Sequence, residues 1–193
     1  ILTIDHFHVI KLAIEALQHL RIKYRWEEMD KENQAIKSAK EKGVNYKPVQ
    51  LSNEDTPKQL LARCRYIIAR KTNQWTKSQQ QRAALLFERY PLLEKAYKHI
   101  LHLRGIYTNE GREKAKHDLQ SWLDKTKELG IKEFNTVAHT LQDKMETILN
   151  YFVYRNTNAN AESFNSKIKL FRANLRGVTD TKFFLFRLEK LFA

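Results

Sequence analysis

The stretch NTNANAESFNSKIKLFRANLRG, residues 156–177, decides how the rest of the chain is interpreted. It opens with a polar, turn-prone run, in which Asn158 or Asn160 is a candidate N-cap, and continues as an amphipathic helix. At about 100° per residue, the apolar side chains of this helix form one stripe and the polar side chains form a second stripe beside it. The apolar stripe is Phe164, Ile168, Phe171 and Leu175, and the polar stripe is Glu162, Asn165, Lys169, Arg172 and Arg176.

Glu162 is the acidic residue of this basic helix, and it lies close to the predicted helix start. The positive end of the helix dipole favours a carboxylate in the first turn. Local chemistry alone therefore explains Glu162 as a residue that stabilises the helix N-terminus.

The charge balance of the whole chain points to a polyanionic partner. Lys and Arg number 35 and Asp and Glu number 22, which gives a formal net charge of +13 in 193 residues. Nucleic acid is the partner that such a charge favours, and an acidic membrane surface is the second candidate. A basic surface that only keeps the protein soluble is the third explanation.

Composition also predicts the fold class. Five Gly and three Pro leave little turn chemistry, so long helices are expected rather than many short strands. We predict a predominantly α-helical bundle with at most one short N-terminal strand, at residues 1–4. The first helix is expected at residues 6–25, with a charged stretch from Tyr24 to Tyr46 that prolongs it and then breaks into a basic, exposed loop. Five later apolar faces are expected to form the core: 60–68, 83–90, 92–103, 115–123 and 131–152.

Local signals predict several boundaries and surfaces along these helices. Asp55 is a candidate N-cap because Pro57 follows it, Pro91 marks the start of a new helix, and Gly130 ends one. The aromatic residues on apolar faces, Trp75, Tyr97 and Trp122, are expected in the core. A candidate phosphate-contacting surface consists of Arg63, Arg65, Arg70 and Lys71.

The cysteine count and hydropathy exclude several classes of protein. Cys64 is the sole cysteine, so the chain has neither an internal disulfide framework nor a thiolate zinc cluster. No apolar run approaches the roughly 20 residues of a membrane span, and no signal peptide precedes the first residue. We therefore expect a cytoplasmic, nucleoid-associated protein without a membrane partner.

The helix stretch carries a resemblance to a known family. Its pattern T-N-x-x-x-E-x-x-N-x-K-I-K resembles the final catalytic segment of DDE-class transposases of bacterial insertion sequences, the IS-L-three family. In that family the Glu is the third metal-binding carboxylate of a ribonuclease-H-like domain, and the basic helix after it faces DNA. The resemblance implies that Glu162 is a catalytic, metal-binding residue. The matching residues are Thr157, Asn158, Glu162, Asn165, Lys167, Ile168 and Lys169.

A second motif, Asp5-His6-Phe7-His8, begins the chain. Local chemistry gives two interpretations of Asp5: it caps the first helix, or it binds a metal together with His6 or His8. The resemblance gives a third, in which Asp5 and His8 belong to the family's D-x-x-H signature. The signature lies between the second catalytic Asp and the final Glu in relatives. A rival alignment makes Asp5 itself the second catalytic Asp. Under either alignment the set of catalytic carboxylates is incomplete in this sequence.

The resemblance implies a division of the chain and a limit on its activity. Residues 1–25 would belong to the ribonuclease-H-like core, 26–152 to a helical insertion, and 153–193 to the catalytic-Glu segment. Two divalent ions, Mg²⁺ or Mn²⁺, serve the full-length parent, and one Glu cannot hold such a pair. We therefore expect neither a bound metal nor cleavage or strand-transfer activity in this chain alone.

The expected partner is DNA, both the transposon ends and the target. The full-length parent enzyme is a candidate homo-oligomer. Two alternatives remain open: a stand-alone helical nucleic-acid-binding module in which Glu162 only caps a helix, and a scaffold that assembles through the regular apolar seam of residues 131–152. The residues expected to bind DNA are Asn165, Lys167, Lys169, Arg172 and Arg176.

Overall fold

The computed structural model describes residues 4, 6–154, 159–175 and 178–192. Helices account for 78% of the described residues, more than twice the ordinary share, and the described residues contain no β-strand. The prediction of a predominantly α fold is confirmed. The helices are α1 (His6–Glu41), α2 (Pro57–Arg63), α3 (Lys77–Arg89), α4 (Pro91–Ile106), α5 (Arg112–Leu129), α6 (Asn135–Asp143), α7 (Met145–Tyr154), α8 (Ala159–Asn174) and α9 (Thr181–Phe192).

The chain divides into two compact units, Ile1–Tyr154 (the N-terminal unit) and Arg155–Ala193 (the C-terminal unit). The predicted strand at residues 1–4 lies outside the described residues apart from Ile4, whose backbone N–H donates to the Thr147 carbonyl at 3.3 Å. The ribonuclease-H-like assignment and the division at residues 25 and 152 stay predictions.

Helix α1 organises the N-terminal unit because α2, α4 and α6 all pack against it. Its first half buries an apolar stripe, and its charged second half continues to Glu41 before a mostly exposed loop, as predicted for that stretch. Arg21 links α1 to α2: its Nη1 donates to the Leu61 carbonyl at 2.9 Å, and its Nε donates to Gln18 Oε1 at 2.7 Å. The buried stripe is Val9, Ile10, Ala13, Ala16, Leu17 and Leu20.

Local sequence sets most helix boundaries in this unit. Thr56 and Thr76 form capping boxes at the starts of α2 and α3. Pro91 begins α4 directly after α3, as predicted. Gly130 ends α5 with φ at 63°, a left-handed conformation that glycine adopts without steric cost.

Asp55 corrects one expectation, because it was predicted to cap α2 and does not. Its side chain is fully buried and pairs with Arg63 and with Arg82, the latter at 3.2 Å. Asn53 also donates to Asp55 at 2.9 Å. A buried carboxylate needs such partners because an unpaired buried charge is strongly unfavourable. Asp55 therefore joins α2 to α3, while its neighbour Thr56 provides the cap.

The core between α4 and α5 contains a buried polar contact. The imidazole of His99 stacks on Trp122 with ring centroids 4.2 Å apart, and its Nε2 lies 2.6 Å from Thr126 Oγ1. The Thr126 hydroxyl donates to the Trp122 carbonyl at 2.8 Å, so His99 Nε2–H is the donor to Thr126. Burial lowers the pKa of His99 to about 4. Trp122 and Tyr97 are core residues, and the partly buried Trp75 stacks on Tyr97, as expected of aromatics on apolar faces.

The apolar seam of residues 131–152 lies inside the N-terminal unit. It is not one helix: a 3₁₀ turn at Lys132–Phe134 precedes α6, and Lys144 separates α6 from α7. Its apolar side chains pack toward α1 and α5, so the buried residues of the seam are not available to a second chain. The buried members are Ile131, Phe134, Leu141, Ile148 and Phe152.

The C-terminal unit consists of α8 and α9. The ring of Phe171 stacks on Phe184 with centroids 5.7 Å apart, and the Arg187 guanidinium lies over Phe171 at 5.1 Å. Asp180 caps α9 by accepting from the Phe183 backbone N–H at 3.0 Å. Half of the large apolar side chains described in this unit are nevertheless exposed: Phe164, Leu170, Phe183, Leu185, Phe186 and Leu191.

Candidate nucleic-acid interface

Helix α8 carries the residues that the sequence singled out. It begins at Ala159, so Asn160 lies within the helix and is not its N-cap, whereas Asn158 lies outside the described residues. Glu162 is the fourth residue of α8, and its side chain also lies outside what is described. The placement of its carboxylate relative to any other group is therefore an expectation from sequence.

The two predicted stripes of α8 differ in exposure. Ile168, Phe171 and Leu175 on the apolar stripe are partly buried, while Phe164 at its start is 44% exposed. The described polar residues Asn165, Lys167, Lys169 and Arg172 are all exposed, and Arg176 lies outside the described residues. A helix with one side packed by α9 and its cations in solvent can present those cations to a polyanion.

The cations of α8 do not all share one face. Asn165, Lys169 and Arg172 follow a four-then-three spacing and therefore lie on one side of the helix. Lys167 lies two residues before Lys169, which is about 200° around the helix, close to Phe171. The contiguous basic face is thus Asn165, Lys169 and Arg172, which we call the α8 basic face, and Lys167 flanks it.

No carboxylate among the described residues pairs with Lys167, Lys169 or Arg172. In the N-terminal unit, by contrast, many cations are paired with carboxylates. Examples are Arg63 and Arg82 with Asp55, Lys58 with Glu32, and Lys98 with Glu94.

The sequence shows the same difference in charge between the units. The 39 residues of the C-terminal unit include eight basic and three acidic residues, whereas the 154 residues of the N-terminal unit include 27 basic and 19 acidic residues. Positive charge is therefore denser around α8.

A second basic surface, predicted at Arg63, Arg65, Arg70 and Lys71, is only partly present. Arg63 is paired with Asp55 and is therefore not a free cation, while its contact with phosphate stays a prediction. The Arg65 guanidinium lies over the Tyr66 ring at 5.2 Å, and Arg65, Arg70 and Lys71 are exposed. Sequence reasoning missed the pair of Asp55 and Arg63 because Asp55, eight residues before Arg63, was interpreted as the cap of α2.

The D-x-x-H motif is described in part. Asp5 lies outside the described residues, so its role as a cap, a signature residue or a second catalytic Asp stays a prediction. His8 lies in the first turn of α1, exposed, with its ring edge-to-face against Phe7 at 5.8 Å.

Neither a metal centre nor a membrane span is present in the described part of the chain. Where side chains are described, no three His, Cys, Asp or Glu side chains lie close enough together to hold a metal ion. Those side chains therefore do not form a metal centre. The side chain of Glu162 is outside the described part, so this statement does not include it. No helix in the described part combines the length and the hydrophobicity that crossing a membrane requires.

Arg187 on α9 is a basic residue that sequence reasoning did not select. It lies over both Phe171 and Phe183 and joins the packing between α8 and α9. The sequence signal for this contact is the four-residue spacing of Phe183 and Arg187, which places both side chains on the same side of α9.

Comparison with known proteins identifies the family of the chain. The model of a family described as Transposase, that of the DDE-type IS-L-three transposases, matches residues 1–188. Neither the curated proteins nor the solved structures gave a match. The match covers nearly all of the 193 residues, and so this chain belongs to the IS-L-three family of transposases.

Proposed function

We propose that the chain is the part of a DNA transposase that contains the final catalytic carboxylate and a DNA-contacting helix. The family match supports the transposase role. The observation that carries the proposal on the structural side is the α8 basic face, whose Lys169 and Arg172 are exposed and unpaired among the described residues. Such cations bind phosphates by releasing counterions from DNA, a contribution that does not depend on base sequence.

The chemistry proposed for the parent enzyme is cleavage of a phosphodiester by water, followed by attack of a 3′-hydroxyl on target DNA. Divalent ions held by carboxylates would activate the nucleophile and stabilise the leaving oxygen in such a reaction. Glu162 would contribute one carboxylate. The resemblance places the two Asp residues upstream of the D-x-x-H signature, and under the rival alignment Asp5 is itself the second of them. The described side chains do not provide these partners, so no catalytic step is assigned to them.

An incomplete carboxylate set has a direct consequence for activity. We expect no Mg²⁺- or Mn²⁺-dependent cleavage of supercoiled DNA by the purified chain, because one carboxylate cannot position two ions. Gel electrophoresis of plasmid incubated with wild-type chain and with Glu162→Gln should give the same uncut pattern. Metal-dependent cleavage that disappears in Glu162→Gln would contradict the assignment.

DNA binding is expected to survive without the missing carboxylates. Duplex DNA should bind weakly and with little sequence preference, and replacing Lys169 and Arg172 together should weaken binding to all sequences alike. Fluorescence anisotropy with two duplexes of unrelated sequence measures this directly. The matched control is Lys95→Gln with Lys116→Gln, which removes two exposed lysines from α4 and α5.

The runner-up function is a helical nucleic-acid-binding module without catalysis, in which Glu162 only stabilises the start of α8. Its position as the fourth residue of that helix favours this alternative on local grounds. Glu162→Gln would then lower helix stability slightly in any context. In an assembled transposase with both Asp residues, the same substitution would instead abolish strand transfer while leaving DNA binding intact.

A further inference from the structure

A groove in the N-terminal unit combines aromatic rings with cations and belongs to none of the sites described above. It has a volume of about 280 Å³ and lies where the start of α1, the end of α4, α7 and the loop at Lys71 meet. The volume is near the lower end of the range for small-molecule sites, about 300–1,000 Å³. The lining residues are His6, Phe7, Ile10, Lys71, Arg104, Tyr107, Thr108 and Tyr151.

The electrostatics of the groove favour an anion. Lys71 is exposed, and no carboxylate among the described residues pairs with it or with Arg104. No acidic residue is among the described residues that line the groove. Arg104 donates from Nη2 to the Ala69 carbonyl at 2.8 Å, which fixes the guanidinium, while its Nε is buried without a hydrogen-bond partner. A buried donor of this kind gains from an acceptor oxygen.

The rings of the groove form a cluster that a flat ligand can extend. The centroids of His6, Tyr107 and Tyr151 lie 5.7–5.9 Å from one another. Phe7 adds a ring that is 56% exposed at the same groove. Aromatic rings beside cations are the combination by which proteins hold single-stranded nucleic acid, since the rings stack on bases and the cations contact phosphates.

We propose that this groove binds one unpaired nucleotide of DNA, with its phosphate at Lys71 and Arg104 and its base against Phe7 and Tyr151. Inorganic phosphate would use the cations and leave the rings without a role. An apolar peptide would use the rings and leave two cations without acidic partners. A nucleotide uses both. That DNA supplies the nucleotide rests on the proposed function; the groove itself also fits a free mononucleotide.

The test uses the intact chain with fluorescein-labelled hexathymidylate, measured by fluorescence anisotropy. Phe7→Leu removes a stacking ring and Lys71→Gln removes a phosphate contact, and both residues are exposed, so the fold should persist in circular dichroism. Each variant should weaken hexathymidylate binding by at least about fivefold, the lower limit for removal of one base–aromatic stack. Lys116→Gln, an exposed lysine on α5 outside the groove, should leave binding unchanged.

Two further ligands, an abasic hexamer and thymidine monophosphate, test separately whether the rings contact a base and whether DNA supplies the nucleotide. An abasic hexamer with the same phosphates should bind more weakly than hexathymidylate to wild type and should be insensitive to Phe7→Leu. Equal binding of both oligomers, or no effect of either variant, would overturn the nucleotide site. Thymidine monophosphate that competes as well as hexathymidylate would overturn DNA as the source of the nucleotide.

The duplex titrations separate this proposal from the proposed function. If Lys169→Gln with Arg172→Gln weakens duplex binding while Phe7→Leu and Lys71→Gln leave hexathymidylate binding unchanged, the groove proposal fails and the proposed function stands. If the groove variants weaken hexathymidylate binding but Lys169→Gln with Arg172→Gln leaves duplex binding unchanged, the groove proposal is supported and the proposed role of α8 fails.

Discussion

Leu141 in the N-terminal unit and Leu185 in the C-terminal unit both lie in apolar helical stretches, yet Leu141 is fully buried and Leu185 is 58% exposed. On α6 the apolar residues recur every three or four positions, so one face is covered by α1 and α5. On α9, residues 183–186 are four apolar residues in succession, which point to all sides of the helix. A unit of 39 residues cannot cover them all.

The difference teaches that apolar content predicts a helix more safely than it predicts burial. The N-terminal unit buries a hydrophobic core formed by its own helices, as expected of an independently stable unit. The C-terminal unit has locally encoded helices, with Asp180 as a cap and Phe171 against Phe184, and a surplus of apolar surface. An apolar run that points to all sides of a helix is typical of the interior of a larger domain, which accords with the proposed place of α9 in a catalytic domain.

The largest expected effect is the cost of opening the core of the N-terminal unit. Leu141→Ala should lower the free energy of unfolding by about 2–5 kcal/mol, because it removes buried methyl groups and leaves a cavity. Leu185→Ala should change it by no more than about 0.5 kcal/mol. Urea unfolding followed by circular dichroism compares the two, and light scattering should show an unchanged mass for both. A smaller particle for Leu141→Ala would support the assembly role of the seam instead.

The second effect is a dependence of stability on pH that belongs to the N-terminal unit, which contains all seven histidines. Burial lowers the pKa of His99 to about 4 in the folded chain, so between about pH 6.5 and 4 the unfolded chain binds the additional proton. Stability must therefore fall as pH falls through this window. From about pH 7 to about pH 5 the decrease should be about 2 kcal/mol. The three tryptophans, all in this unit, provide a fluorescence signal.

Two variants isolate His99 from the other titrating groups. His99→Phe keeps a ring against Trp122 but cannot be protonated, so its stability should vary less between these pH values. His139→Asn, on an exposed surface of α6, should retain the wild-type pH dependence. An unchanged pH dependence in His99→Phe would show that another group is responsible.

The smallest effect concerns the cap of α9. Asp180→Ala removes the acceptor of the Phe183 N–H and should cost about 1 kcal/mol. In the C-terminal unit this destabilisation should appear as faster amide hydrogen exchange limited to the start of α9. Thr76→Ala removes an equivalent cap in the N-terminal unit, where the substitution should instead lower global stability. Unchanged exchange in α9 would mean that the cap does not determine the helix start.

Sequence reasoning succeeded where a short pattern determines the structure. The three- and four-residue spacings predicted the buried faces of α3 to α7, and Pro91 and Gly130 set helix boundaries as expected. Trp122 and Tyr97 were correctly placed in the core. Each of these outcomes depends on residues within one or two helical turns of one another.

The remaining features depend on contacts between distant segments. Asp55 looked like a cap because Pro57 follows it, and only the fold brings Arg82 to its side chain. The groove draws on residues 6–10, 71, 104–108 and 151, and no local motif connects them. Similarly, the sequence identified the basic residues of α8, but the partial burial of Phe171 beside them depends on its contact with Phe184 of α9.

The most direct test of the account is the salt dependence of duplex DNA binding. The logarithm of the binding constant should fall linearly with the logarithm of salt concentration. Replacing Lys169 and Arg172 by Gln should reduce the steepness of that line by about 1.8, or about 0.9 for each phosphate that is no longer neutralised. Lys95→Gln with Lys116→Gln should leave the slope as in wild type. Binding that is insensitive to salt, or a slope that Lys169→Gln with Arg172→Gln does not change, would contradict DNA recognition by α8.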